Sequence, residues 1–166
     1  VQRGIRNTVG FTWHPDTKEL WFTDNGRDMM GDDMPNCELN HAPKDFMHFG
    51  YPFCHEGSLP DPEFGKGQDC SKYTAPVAKM GAHTAPLGIR YIRNPQLPET
   101  YNEAFLIARH GSWNRTEKSG YDVQLVKTNA SGQFISMQPF ITGWLSKDKK
   151  EVWGRPVDIQ MLPDGD

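Results

Sequence analysis

Arg6, Asn7, Asp24, Asn25, Gly26 and Arg27 are the residues whose types and spacing best suit ligand chemistry. Arg6-Asn7 precedes a strand-like run ending at Phe11. A turn follows at His14-Pro15-Asp16, and Leu20-Trp21-Phe22-Thr23 leads out into Asp24-Asn25-Gly26-Arg27. A hairpin brings its open ends together, so the two polar clusters must meet at the end opposite the Pro-Asp turn. A guanidinium forks a carboxylate. A glycine just after a strand lets carbonyls turn into an opening, and carbonyl oxygens are calcium ligands. The pattern therefore points to an anionic cofactor beside a metal ion. From the second cluster alone, an ordinary Asn-Gly turn is the simpler reading. For Arg6 and Arg155 the alternative is an ion pair with a loop acid such as Asp24 or Asp158.

Further candidates lie downstream. His110-Gly111-Ser112-Trp113-Asn114-Arg115 offers stacking, hydrogen bonds and charge, against the alternative of a capped turn. His83 is a candidate cofactor contact or a hydrogen-bonded loop residue. Glu38 with Asp32 and Asp33 could hold a second cation in the loop after the first hairpin, or all three are solvated acids. His14, His41, His48 and His55 read as structural. Trp13, Trp21, Trp144 and Trp153 read as core between layers.

The elements that must position these residues are strands. Hydrophobic content is 36%, with 16 Gly and 13 Pro, a mix that suits short strands joined by turns. No run approaches membrane-spanning length, and a net charge of -3 without a basic stripe argues against nucleic acid. The opening hairpin has two echoes. One runs from His83-Thr84-Ala85 through Leu87 and a Pro-rich turn to Arg109-His110-Gly111. The other runs from Gly154-Arg155 through Val157 to a turn at Pro163-Asp164-Gly165. Aligning Val9, Leu87 and Val157 gives a period of roughly 70 to 80 residues, suited to four strands per unit. Tyr121 to Lys127 and Gln133 to Phe140, joined at Ser131-Gly132, supply further strands. Strands at blade-like intervals without helical crossovers predict an all-β fold, a β-propeller. The loops entering each inner strand and leaving the second strand then open on one face. Arg6-Asn7, Asn25-Gly26-Arg27, His83-Thr84-Ala85, His110-Gly111-Ser112 and Gly154-Arg155 are expected to ring one opening.

About two units are visible, and a propeller needs at least four. With no initiator Met and an end inside a turn signal, residues 1–166 read as a partial propeller truncated at both ends. The missing blades would come from the same polypeptide or a completing chain. Of the three cysteines, Cys54 and Cys70 bracket a Gly-, Pro- and Asp-rich loop that a disulfide could brace; the alternative is three free thiols.

The chain resembles the soluble PQQ-dependent sugar dehydrogenases, which include aldose (glucose) dehydrogenase and sorbosone dehydrogenase-like proteins. The matching runs span nearly the whole chain. They are Arg3-Gly4-Ile5-Arg6-Asn7, Trp21 to Asp28, Glu38-Leu39-Asn40, Phe49-Gly50-Tyr51-Pro52, Gly81 to Gly88, Arg109 to Arg115, and Trp153 to Asp158. The sorbosone dehydrogenase-like branch is nearest. The resemblance implies a six-bladed propeller with PQQ on its central opening, this chain covering roughly the C-terminal half. It implies that Arg6, Asn7 and Arg155 contact PQQ, with Arg6 polarising the quinone. It places His110 and Arg115 near a cofactor-contacting Lys that this chain lacks. Gly26 and Arg27 match calcium-binding carbonyls, and Glu38 and Phe49 match positions at a second calcium. The implied reaction oxidises a sugar or related alcohol or aldehyde, with an unidentified electron acceptor, in a periplasmic or secreted protein. The family's catalytic His comes from an earlier blade, so this chain alone is expected to be inactive. The other readings are a non-catalytic binding propeller and a calcium-dependent lactonase-type hydrolase.

Overall fold

Phe11–Trp13 (β1) and Leu20–Asp24 (β2) form the first hairpin, with Phe11 opposite Phe22 and Trp13 opposite Leu20 in the computed structural model, which describes residues 1–162. Asn36–Ala42 (β3) pairs with the other edge of β2, and Ala78–Ala82 (β6) pairs with β3. All pairings are antiparallel, giving a four-stranded sheet in the order β1-β2-β3-β6. Between β3 and β6 lies an insertion that contains the small hairpin Cys54–His55 (β4) and Leu59–Pro60 (β5) and one 3-10 turn, Cys70–Lys72. A Cys54–Cys70 disulfide braces it, and Cys37 is free and buried. The second sheet is an uninterrupted meander of Pro86–Ile92 (β7), Ala104–Arg109 (β8), Asp122–Thr128 (β9) and Phe134–Ile141 (β10). These are two propeller blades, as the repeat predicts.

Period-two alternation in the inner strands builds the layers. Trp21 of β2 faces the second blade and packs with Leu39, Met80, Ile89, Phe105, Ile107 and Val126. Its neighbour Phe22 faces the other way, onto Phe49 and Met47 of the insertion. In β8, Phe105 and Ile107 face the first blade, while Ala104 and Leu106 pack with Ile92, Val123, Leu125 and the later segment that contains Trp144 and Ile159. Trp21 is thus core, as expected, and Trp144 packs, partly buried, against the core of the second blade. Trp13 and Trp153 are exposed, contrary to expectation, because no described layer covers their outer faces.

The inner strands approach closely at two glycines. A Cβ on Gly10 would stand 2.0 Å from the Leu87 oxygen, and one on Gly88 2.5 Å from the Asp158 Cα. The Thr23 hydroxyl clasps the first junction by donating to the Leu87 carbonyl at 2.8 Å, and the Gly88 N–H donates to the Val157 carbonyl at 2.8 Å. Val9, Leu87 and Val157, the positions aligned by the repeat, therefore lie in successive neighbouring segments, of which only that of Leu87 is within a strand. Residues 154–162 form no strand, and the Pro163-Asp164-Gly165 turn lies outside the described residues.

Candidate functional site

Asp24 fixes the two ends of the first hairpin together. Its buried carboxylate accepts the backbone N–H of Arg6 at 3.0 Å and of Asn7 at 2.6 Å. Burial raises its pKa, and these hydrogen bonds only partly offset that rise. Asn25 completes the clamp, donating from its backbone and its side-chain amide to the Asn7 carbonyl at 3.1 and 3.0 Å. Its Oδ1 is buried without a partner. The predicted meeting of Arg6-Asn7 with Asp24-Asn25-Gly26 is therefore present, and Asp24 serves it as a brace.

Above this clamp a cavity of about 190 Å³ opens at the junction of the two blades. Arg6, Asn7, Asn25, Gly26 and Asp28 line it from the first blade. His83 and Ala85 enter from the second, and Trp113 stands at its rim, 71% exposed. The Arg6 guanidinium donates to the Asn25 carbonyl at 3.2 Å and to Asp28 at 3.3 Å. His83 has a side chain only 4% exposed. Its Nε2 lies 2.7 Å from the Gly31 carbonyl, an acceptor, so Nε2 carries the hydrogen; Nδ1 lies 3.8 Å from Asp28. His83 and Ala85 adopt φ of 59° and 50°, the left-handed region that β-carbon sterics disfavour. The inward aim of His83 is thus imposed by the surrounding fold.

The remaining predicted residues divide. Arg155 packs over the Tyr121 ring at 5.0 Å and donates to the Gly111 carbonyl at 3.2 Å; among the described residues it has no carboxylate partner. His110 Nδ1 donates to the Pro156 carbonyl at 3.1 Å. These two build an equivalent junction between the second blade and the next segment, and they do not line the first cavity. Within the described residues the five loop groups occupy two adjacent junctions. Arg115 spans back to the first blade, donating to the Asp32 carbonyl and to the Asp33 carboxylate at 3.0 Å. The Asp32 carboxylate accepts the Thr116 N–H at 3.2 Å, and no group of three His, Cys, Asp or Glu suited to a metal occurs among the described residues, so Asp32, Asp33 and Glu38 do not form one cation site there.

Glu38 lies in strand β3 and not in a loop, because Asn40 and Glu56 satisfy its buried carboxylate. Asn40 Nδ2 donates to it at 2.9 Å and the Glu56 N–H at 2.8 Å. Burial, with the charges of Asp24 and Glu56 adding to it, pushes its pKa up to about 7. Glu38, Phe49, Asp24 and Asn36 border a void of about 10 Å³, room for a single water or small ion. Arg27 turns its side chain away from both cavities and into the insertion. It donates to Asp61 at 2.5 Å and to Glu63 at 3.3 Å. Neither the Gly26 nor the Arg27 carbonyl accepts a hydrogen bond among the described residues. By type, a backbone carbonyl suits a hard cation and a guanidinium an anionic planar group; Gly26, Asn25 and Arg6 line the cavity, and Arg27 does not. Asn25 and Trp113 line the cavity as two of the candidates read from the sequence, and Asp28 is a cavity residue that was not proposed as a ligand contact. Asp28 ends the same polar run as Arg27, and that was the available signal.

The TrAA12-like family model matches residues 58–143. The chain belongs to the TrAA12-like family, which agrees with the motif resemblance to PQQ-dependent sugar dehydrogenases. A protein of Borreliella burgdorferi, described only as uncharacterized, is 36% identical over 99% of this chain and 44% of its own length. Among solved structures, the PQQ domain of pyranose dehydrogenase from Coprinopsis cinerea, in its holo form, superposes with a TM-score of 0.73 at 19% identity. That match covers 99% of this chain and 50% of the other. A Trichoderma reesei protein of Carbohydrate-Active Enzymes Family AA12, in a calcium structure, gives 0.74 at 20% identity over 99% and 49%. The soluble aldose sugar dehydrogenase of Escherichia coli, in its apo form, gives 0.63 at 18% identity over 99% and 41%. The chain thus spans about half the length, or less, of the proteins it matches.

Proposed function

We propose that this chain supplies two blades of a PQQ- and calcium-dependent dehydrogenase that oxidises a sugar or a related alcohol or aldehyde, as glucose and sorbosone dehydrogenases do. The observation that carries this reading is the convergence of Arg6, Asn7, Asn25, Gly26 and His83 on one cavity at a blade junction, in a chain of the TrAA12-like family. Arg6, Asn7 and His83 would hold the cofactor, with Arg6 in the polarising role. The Gly26 and Arg27 carbonyls would take one calcium ion, and Glu38 with the Phe49 region a second. Arg155, His110 and Arg115 would extend the same polar face around the axis. When bound, PQQ supplies a quinone carbonyl that takes up hydride, and calcium polarises it. His83 is held to one tautomer and anchors this face.

The proton-accepting base is assigned by resemblance to a blade outside residues 1–166, so a partial domain of this extent would be inactive until further blades close the ring. A periplasmic or secreted location follows from the same resemblance; among the described residues no helix is long and apolar enough to cross a membrane. One observation favours a second reading, a non-catalytic binding propeller: Arg6 and Arg115 already pair with Asp28 and Asp33. The lactonase-type alternative needs carboxylates around a central cation, and no group of three His, Cys, Asp or Glu suited to a metal occurs among the described residues.

The test is PQQ binding to the full-length protein with and without calcium, read by absorbance and thermal shift. Calcium-dependent binding weakened at least tenfold by Arg6→Ala and by Arg155→Ala is expected. A folded full-length protein that binds no PQQ in either condition refutes the dehydrogenase reading and leaves the binding propeller.

A further inference from the structure

Trp113 is the largest side chain at the mouth of the proposed cofactor cavity. It lines the rim, 71% exposed, and belongs to none of the buried hydrophobic clusters. A single exposed hydrophobic residue is ordinary on a protein surface. This one differs in how its backbone is held. Ser112, the residue before it, is buried. Its N–H donates to the Ser119 carbonyl at 2.9 Å, and its carbonyl accepts the Tyr121 hydroxyl. Arg115, two residues on, reaches the first blade at the Asp32 carbonyl and the Asp33 carboxylate, and the Thr116 N–H donates to the Asp32 carboxylate. The indole is thus carried on a backbone tied to both blades, while its ring stands in water. A ligand that meets an aromatic surface already fixed in place avoids the cost of ordering it.

The neighbouring groups define the ligand. Asn114 and Arg115, next in the loop, turn their side chains to Met29 and to Asp32 and Asp33. That leaves the indole without the hydrogen-bonding groups from its own loop that a polyhydroxyl ligand requires. Met29 is itself 77% exposed and is held at φ 63°, its Sδ 3.6 Å from the Asn114 amide. A second exposed, polarisable side chain therefore reaches the residue beside Trp113. The charges here are matched: Arg6 meets Asp28 at 3.3 Å, and Arg115 meets Asp33 at 3.0 Å. An ionic ligand finds these groups already paired. An uncharged planar molecule needs only a face to stack on.

A dehydrogenase must be reoxidised after each turnover, and an acceptor reaches the cofactor through the mouth of its cavity. We infer that Trp113 is the docking platform for the electron acceptor, and that this acceptor is an uncharged planar quinone stacked on the indole. The inference rests on the dehydrogenase reading. The step balances within the pair: the reduced cofactor gives up two electrons and two protons, and both carbonyl oxygens of the quinone become the hydroxyls of a quinol.

The test uses the full-length protein with PQQ and calcium, so that the cofactor cavity is filled, and with no sugar present. PQQ loading is read first, by absorbance. Isothermal titration calorimetry with menadione should then show saturable binding, weakened roughly tenfold or more by Trp113→Leu and largely retained by Trp113→Phe. Both variants should load PQQ as the wild type does. After stoichiometric reduction with dithionite, stopped-flow reoxidation by menadione should need roughly tenfold more quinone to saturate in Trp113→Leu. Reoxidation by ferricyanide, a compact anion with no face to stack, should keep its wild-type rate. Three results overturn the inference: no saturable menadione binding to PQQ-loaded protein, menadione binding indifferent to Trp113→Leu, or loss of PQQ loading in Trp113→Leu, which would make the indole a cofactor contact. A wild type that loads no PQQ refutes the dehydrogenase reading itself, and this inference with it.

Discussion

Replacing Asp61 by Asn tests how the insertion fixes the Arg27 backbone beside the candidate site. The Asp61 side chain is fully buried, and each of its oxygens is committed. Oδ1 accepts the N–H of Glu63 at 2.8 Å and of Phe64 at 2.9 Å; Oδ2 accepts from His55 at 2.7 Å and Arg27 at 2.5 Å. Burial pushes this carboxyl up, but His55, the Phe64 N–H and Arg27 together outweigh it and hold the acid well below the ordinary carboxylate range. An Asn in the same place must direct its NH₂ at one of these donor pairs, whichever way it is flipped. It loses two charge-assisted bonds of about 1.5–3 kcal/mol each, and breaking a buried pair costs about 3–5 kcal/mol. A loss of about 3–5 kcal/mol corresponds to a fall in melting temperature of roughly 6–20 °C for a domain of this size. Urea melts should show the midpoint lowered with the slope unchanged. Glu63→Gln removes only the exposed partner at 3.3 Å and should change stability by under about 1 kcal/mol. The pH dependence has a definite sign. A depressed carboxylate contributes stability above its unfolded pKa near 3.8 and loses it as pH falls through its folded value. The wild type should therefore lose stability below that pH more steeply than Asp61→Asn. A loss under about 1 kcal/mol in Asp61→Asn, with an unchanged acid limb, refutes the argument that this charge anchors Arg27.

Gly88→Ala places a Cβ 2.5 Å from the Asp158 Cα and 2.9 Å from the Val157 oxygen. It should cost about 1–3 kcal/mol in thermal melts, as overpacked contacts do; a neutral result would show that the inner strands are not in close contact. Glu38, raised to about 7 from 4.5, favours the protonated folded state, so its contribution is full below pH 4.5 and lost as pH rises through about 7. Glu38→Gln should flatten the stability profile over that window by up to about 3 kcal/mol, and added calcium should flatten it in the wild type if a cation sits beside the carboxylate. Reducing the Cys54–Cys70 bridge, which spans 16 residues, should lower stability by about 3 kcal/mol in denaturant melts with and without reductant.

The hairpins were legible because their apolar alternation and turn residues are local signals; β3 was not, because its burial depends on partners far along the chain. Asn36–Ala42 carries Glu38, Asn40 and His41, a polar run that reads as a loop when taken alone. It becomes a central strand only when the Glu56 N–H satisfies Glu38 and the indole of Trp21 covers His41. The same distinction governs the sites. Arg6 and Asn7 could be brought to Asp24 by the hairpin alone, whereas the tie from Arg27 to Asp61 spans 34 residues of sequence, across β3 and into the insertion. Asp61-Pro62-Glu63-Phe64 did carry a local sign of its role, an Asp two and three residues before the N–H groups that it caps. Its burial by Arg27 and His55 carried none. Chemistry built from one hairpin could thus be read residue by residue, and chemistry built between a blade and its insertion required the fold.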